Sequence, residues 1–185
     1  ITDRQLAPAS PPEILTADLA PVVLAIADWG TSESAALPWL TPPPAAAWTQ
    51  AVELLQSLRA LDAAGRITPH GRRMVQLPMH PRLAHMVLMA GEARATDTAC
   101  LLAALLAERV TAPIIGGQRL TNLAEMLDAA LGLTTIPGGR LGGLDRARAL
   151  ARDWQRATRR LSAPQRVAMP TTPDAGNTGN APEET

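Results

Sequence analysis

The stretch "ALDAAGRITPHGRRM" (Ala60–Met74) sets a turn, a short extended piece and a helix start in direct succession. Asp62 and Gly65 suit a tight turn, because Asp bonds its own downstream backbone and Gly tolerates a left-handed conformation. "GRIT" (Gly65–Thr68) is the candidate strand. Thr68 followed by Pro69 reads as an N-cap with proline at the first helical position, where a missing N–H costs little. Upstream, Trp48, Val52, Leu55 and Leu58 recur at helical spacing, with Ala51, Leu54 and Leu61 widening the stripe. That pattern predicts an amphipathic helix over Pro44–Leu61. A small β element that closes a run of three helices would make a winged-helix arrangement.

Working outward, "TADLAPVVLAIADWG" (Thr16–Gly30) places Leu19, Val22, Val23, Ile26 and Trp29 on one helical face. Asp18 is the expected cap, Pro21 falls in the first turn, and Gly30 stops the helix. "ESAALPWL" (Glu33–Leu40) reads as one short helical turn. "LPWLTPPPAAAWTQ" (Leu37–Gln50) then sets three prolines between Trp39 and Trp48. A proline-rich ligand would need an exposed extended segment. This one runs straight into an amphipathic helix, so it reads as a rigid corner, with Thr41 as a cap and Pro44 at an early helical position. The four tryptophans are expected mostly in the core.

Downstream of the opening stretch, Pro78 and Pro81 end one helix and open another, "PRLAHMVLMAGEA" (Pro81–Ala93). "TDTACLLAALLAERV" (Thr96–Val110) is apolar nearly all round and is expected to be a central, buried helix. "QRLTNLAEMLDAALG" (Gln118–Gly132) reads as a further long helix, "GGRLGG" (Gly138–Gly143) as a break, and "LDRARALARDWQRATRRL" (Leu144–Leu161) as the last helix. The fold class expected is mainly α: a degenerate winged helix over residues 13–80, then an all-α, ratchet-like helical bundle over 81–161. Residues 1–12 read as a connector and 162–185 as a linker or disordered tail.

Composition removes several chemistries. All 17 basic residues are Arg, balanced by 17 acidic ones, so no net charge draws the chain toward nucleic acid or anionic membrane. A phosphate-binding P-loop needs a Lys, and there is none. Schiff-base catalysis falls for the same reason. One cysteine, Cys100, allows neither an internal disulfide nor a thiolate zinc site, and it is expected as a buried small hydrophobe. No apolar run approaches the ~20 residues that span a bilayer. The opening residues are unlike a signal peptide, so a cytoplasmic location is the expectation.

The blocks "PEILTADLAPVVLAIADWG", "LPWLTPPPAAAW" and "LLQSLRALDAAGRITPHGRRMVQLPMHPRLAHMVLMA" follow one another in an order that resembles the region after the second RecA-like domain of DEAH-box helicases. Within these the bacterial HrpB-type ATP-dependent helicases are most similar, over roughly residues 11–161, with Ala60–Leu88 the most specific part. The resemblance implies an accessory region that packs on the motor domains and forms one wall of the nucleic-acid channel. It implies as partners RecA-like motor domains in cis and single-stranded RNA or DNA. The cofactors, ATP and Mg, would belong to those motor domains, whose sequence motifs are not in this chain. The chain is then expected not to hydrolyse ATP alone, and to hold no cofactor, metal or catalytic residue.

Two other readings stay open, a scaffold for protein contacts and a free-standing winged-helix nucleic-acid reader. A recognition helix must present base- and phosphate-contacting groups. The helix over Pro44–Leu61 offers Arg59, Gln50, Gln56 and Ser57 against Glu53, which argues for burial in an interdomain contact.

The candidate nucleic-acid contacts lie on the last helix. It carries six Arg against Asp145 and Asp153, with Leu144, Ala147, Ala151, Trp154, Thr158 and Leu161 forming an inward stripe. Arg148, Arg152, Arg156, Arg159 and Arg160 lie largely off that stripe, and guanidinium suits phosphate. The plainer alternative is a solvated face laced with Asp–Arg pairs. Arg72, Arg73 and Arg82 are candidates for an interdomain contact, or else they cap and bridge the seam between winged helix and bundle. His70, His80 and His85 are not expected to bind metal, since His80 and His85 do not share a helix face and no carboxylate stands at ligand spacing. Glu108 and Arg109 end their helix and are expected as a surface pair, with an interdomain salt bridge as the alternative.

Overall fold

The computed structural model describes residues 11–31, 34, 37–108, 114–115, 118–119, 122–133 and 142–162. The connector expected over 1–12 and the tail expected over 162–185 fall almost wholly outside them, as do Glu33, Ala35 and Ala36 of the short turn expected over Glu33–Leu40. Arg109 and most of the glycine-rich break also lie outside.

Helix α1 (Ala20–Trp29) follows a single 3-10 turn, Glu13–Leu15. Asp18 Oδ1 accepts the Ala20 N–H at 2.9 Å, although the cap position expected of Asp18 falls on Leu19. Gly30, at φ 106°, ends the helix in the left-handed conformation. The buried face differs from the expected stripe. Leu19, Val23, Leu24, Ile26 and Ala27 are inside, while Val22 is 37% and Trp29 82% exposed. Position 29 is seven residues beyond 22, so the two share a face, and the core lies against the neighbouring one.

The proline corner is built as expected in its shape. The rings of Trp39 and Trp48 meet edge to face, centroids 6.2 Å apart. The Trp39 indole N–H donates to the Ser34 carbonyl at 2.8 Å. Pro43, between them in sequence, is buried. Helix α2 runs Ala45–Ser57, with Pro44 at the cap position and no side-chain cap, so the capping role expected of Thr41 is not taken up. Trp48, Ala51 and Leu55 face the core and α2 packs on α1. The helix stops four residues before the expected Leu61. Arg59 takes φ 56°, the Ala60 N–H turns back to the Leu55 carbonyl, and Leu61 is thereby placed opposite Ile67.

Among the described residues, one antiparallel bridge, Leu61 to Ile67, makes up the β element of the winged helix. The turn between is closed by Asp62, whose Oδ1 accepts the N–H groups of Ala64 and Arg66, both at 2.9 Å. Helix α3 (Pro69–Val75) begins as the sequence dictates, with Thr68 Oγ1 accepting the Gly71 N–H at 3.0 Å.

Helices α4 (Pro81–Glu92), α5 (Thr96–Ala107), α6 (Leu123–Leu131) and α7 (Gly142–Ser162) make the second part. Helix α5 is central, packed by α4, α6 and α7, and buries Ala99, Cys100, Leu101, Ala103, Ala104 and Leu105. The helix expected from Gln118 begins only at Leu123, capped by Asn122. Gln118–Arg119 instead pair with Ile114–Ile115 as a two-residue antiparallel hairpin, β1 and β2. Two apolar clusters result. One is formed by α1, α2, the bridge and α3; the other by α5, α6 and α7. Helix α4 supplies both, with Ala84 and Leu88 in the first and Val87 in the second. The far end of α7 joins them again, since Ala157 and Leu161 pack on the first cluster. None of the described helices is long and apolar enough to cross a membrane.

Candidate nucleic-acid interface on the last helix

Helix α7 buries Leu144, Ala147, Ala151, Trp154 and Thr158, with Leu161 half-buried, which is the stripe expected from the sequence. Its arginines divide by what surrounds them. Arg148 is turned inward at the flank, its side chain 26% exposed. Its Nε donates to the Ala130 carbonyl at 2.9 Å, one terminal nitrogen donates to the Ala129 carbonyl at 2.8 Å, and the other pairs with Asp145 at 3.0 Å. Both carbonyls lie in the last turn of α6, beside the negative end of its dipole, and the Ala129 carbonyl also accepts the Gly132 N–H at 3.2 Å. Arg148 is thus a helix cap that fastens α6 to α7, and most of its donors already have acceptors.

Two ion pairs tie α7 to the antiparallel α5 at opposite ends. Arg159 meets Asp97 at 3.2 Å and Arg146 meets Glu108 at 3.4 Å. Arg109, expected beside Glu108, lies outside the described residues, and the pair described at Glu108 is with Arg146 from α7. Arg156 pairs with Asp153 within the helix, three residues back. Arg152 and Arg160 are exposed, and among the described residues neither has a hydrogen-bond or ion-pair partner. Successive fours along a helix share a face, so Arg152, Arg156 and Arg160 form one outward row opposite the buried stripe.

Arg72, Arg73 and Arg82 are all exposed and do not converge on one site. Arg72 lines a shallow cleft with Asp28, Asp62 and Arg66, between the end of α1 and the bridge turn. Arg82 lines a groove with Met79, Leu83, Leu106 and Trp154, where the winged helix meets the bundle.

The histidines link helices. His80 Nδ1 accepts the Arg82 N–H at the start of α4, and its Nε2 meets Asp18 at 3.0 Å. Partial burial works against the Asp18 carboxylate, but the Ala20 N–H, His80 and Arg82 outweigh it and hold its pKa below the usual value. His70 on α3 and His85 on α4 share a hydrogen bond of 2.9 Å. Burial, then the neighbouring His85 and Arg73, push the His70 pKa down. The unfolded chain therefore binds more protons below the ordinary histidine value. The stability His70 contributes is complete above pH ~6.5 and is lost as pH falls through its lower folded value. Chemical denaturation at pH 7.5 and 5.5 should show that loss, and His70→Gln should reduce it; an unchanged pH slope in the variant would exclude His70 as the source. No group of three or more His, Cys, Asp or Glu that could hold a metal occurs among the described residues. Cys100 is fully buried, and burial pushes its thiol pKa up.

The exposed row is legible in the spacing of the arginines, but their tertiary partners are not. Asp18–His80, Arg159–Asp97 and Arg148–Ala130 join residues 62, 62 and 18 apart, beyond any local spacing rule.

Comparison with known proteins places these elements. Residues 51–79, the second half of α2 through the bridge and α3, match the family described as "Helicase associated domain (HA2), winged-helix". The chain is 38% identical over 105 residues to the ATP-dependent RNA helicase HrpB of Escherichia coli, an alignment covering 57% of this chain and 13% of that protein. It is 40% identical over 84 residues to the ATP-dependent RNA helicase HrpA of the same organism, covering 43% of this chain and 6% of that one. The crystal structure of the Escherichia coli DEAH/RHA helicase HrpB superposes with a TM-score of 0.60 at 28% identity, over 87% of this chain and 18% of that one. The chain thus spans less than a fifth of the length of the helicases it matches. In sequence and fold it resembles the helicase-associated accessory region of an HrpB-type DEAH helicase, winged helix and helical bundle together.

Proposed function

We propose, from the premise that this chain carries a helicase-associated winged helix continuous with its bundle, that it serves as the accessory region of an ATP-dependent RNA helicase. In this reading it packs on RecA-like motor domains and its bundle forms one wall of the channel for single-stranded RNA or DNA. ATP and Mg are bound by those motor domains, and these residues hydrolyse nothing alone. The reading is supported by the outward row on α7, where Arg152 and Arg160 are exposed and without partners among the described residues. Unpaired guanidinium on a rigid helix is suited to phosphate, and each phosphate neutralised releases counterions.

The alternative of a free-standing nucleic-acid reader is weakened by α2. Its exposed side presents Thr49, Gln50, Glu53 and Ser57, with no cation. Arg59 lies past the helix end, in the left-handed turn.

Binding of a single-stranded oligouridylate, measured across a salt series, tests the proposal. Arg152→Gln with Arg160→Gln should weaken binding several-fold and flatten the plot of log K against log salt by about 1.4, or ~0.7 for each phosphate that is no longer neutralised. Unchanged affinity and slope in that double variant would sink the channel-wall reading.

A further inference from the structure

The outward face of α7 carries more arginine than it displays as charge. Arg156 stands in the same row as Arg152 and Arg160 but is held by Asp153. Arg159, on the adjoining flank, is held by Asp97 of α5. We infer that Asp97 and Asp153 are built-in competitors for phosphate: each carboxylate occupies a guanidinium that a nucleic-acid strand would otherwise take. This rests on the nucleic-acid reading above and adds a restraint on it.

Three observations carry it. First, both pairs are open to solvent. The side chains of Arg156 and Asp153 are 64% and 60% exposed, those of Arg159 and Asp97 71% and 62%. A strand lying along Arg152 and Arg160 therefore has access to both. Second, guanidinium binds carboxylate and phosphate through the same planar fork, so the two compete for the same donors. Exposed ion pairs are weak enough for the exchange to be reversible. Third, the same helix contains a contrasting case. Arg148 also pairs with a carboxylate, Asp145, yet two backbone carbonyls hold it as well, and its side chain is much less exposed. Neutralising Asp145 frees no guanidinium.

Asp97 is also well kept in place. It sits in the first turn of α5, where the helix dipole favours a carboxylate. The Gln155 side chain donates to its backbone carbonyl at 3.3 Å, so α7 and the start of α5 stay in register when Arg159 lets go. The restraint would hold Arg156 and Arg159 for a bound strand and keep the empty face from attracting polyanions indiscriminately.

The test uses this chain and a fluorescent single-stranded oligouridylate, read by anisotropy across a salt series. Asp153→Asn and Asp97→Asn should each tighten binding by about two- to fivefold, the range expected when an exposed ion pair is released. Each should steepen the salt dependence by ~0.7. Asp145→Asn makes the same change of charge on the same helix and should have a smaller effect. In an Arg156→Gln background, Asp153→Asn should no longer tighten binding, which a double-mutant cycle reads directly. Equal tightening by all three Asp→Asn changes, or full tightening by Asp153→Asn without Arg156, would mean general repulsion and would overturn the competition. No tightening, alongside weakened binding in Arg152→Gln with Arg160→Gln, would overturn the competition and leave the accessory-region reading standing. No weakening in that double variant would overturn the reading itself, and the competition with it.

Discussion

Gly71→Ala should destabilise the winged helix by about 3 kcal/mol or more, at the upper end of what overpacking costs. Gly71 is buried in the first turns of α3. A Cβ built there would stand 2.2 Å from the Ala60 carbonyl oxygen and 2.9 Å from Ile67 Cγ1. The first of these is backbone and cannot rotate away. It is also tied in place, because the Ala60 carbonyl accepts both the Thr68 N–H at 2.9 Å and the Thr68 hydroxyl at 3.2 Å. Relief would have to come from separating α3 from the strand end, which breaks the bridge at Ile67. Gly91→Ala, in α4, is the internal comparison. Its nearest neighbour would be Thr96 Oγ1 at 3.5 Å, an ordinary contact. There the alanine should be neutral or stabilise by up to ~1 kcal/mol, since glycine is a poor helix former. Urea melts followed by circular dichroism distinguish the two. A Gly71→Ala midpoint close to that of the parent would show that α3 is not seated on Ala60.

Trp154→Ala should cost about 3–5 kcal/mol, the usual range for emptying a large aromatic site in a core. Trp154 is 4% exposed, belongs to the cluster of α5, α6 and α7, and borders the groove at the seam with Met79 and Leu83. Its loss would leave a void that α4 and α5, held in place by their packing on each other, cannot readily close. Trp29→Ala should cost under ~0.5 kcal/mol, because that indole is 82% exposed and leaves no cavity. Thermal melts of the two variants give the comparison. Similar midpoints for both would refute the packing described for α7. Intrinsic fluorescence adds a second check, as removing Trp154 takes away one of the buried emitters, beside Trp48, and removing Trp29 an exposed one.

Much of what depends on neighbours within a few residues was legible in the sequence, although the cap expected of Thr41 and the helix start expected at Gln118 were not taken up. Thr68–Pro69 starts α3, Gly30 ends α1, Asp62 closes its turn, and the spacing of Leu144, Ala147, Ala151, Trp154 and Thr158 assigns the buried side of α7. Each is a local geometric fact, of 3.6 residues per turn or of a side chain reaching two or three residues on. The blocks carrying the family resemblance are made of the same local signals in order. Tertiary structure decided the rest. Whether α1 turns Trp29 or Leu24 inward depended on where α2 lay, since both belong to plausible apolar stripes. Where α2 ended depended on Leu61 having to meet Ile67. The sequence also could not rank the arginines of α7. Arg148, Arg152, Arg156 and Arg159 are alike in type and spacing, and only the packing of α5 and α6 gives Arg148 two carbonyls, gives Arg159 an aspartate and leaves Arg152 facing water. Long side chains select partners across space, and a one-dimensional pattern holds no record of which helix end will be within their reach.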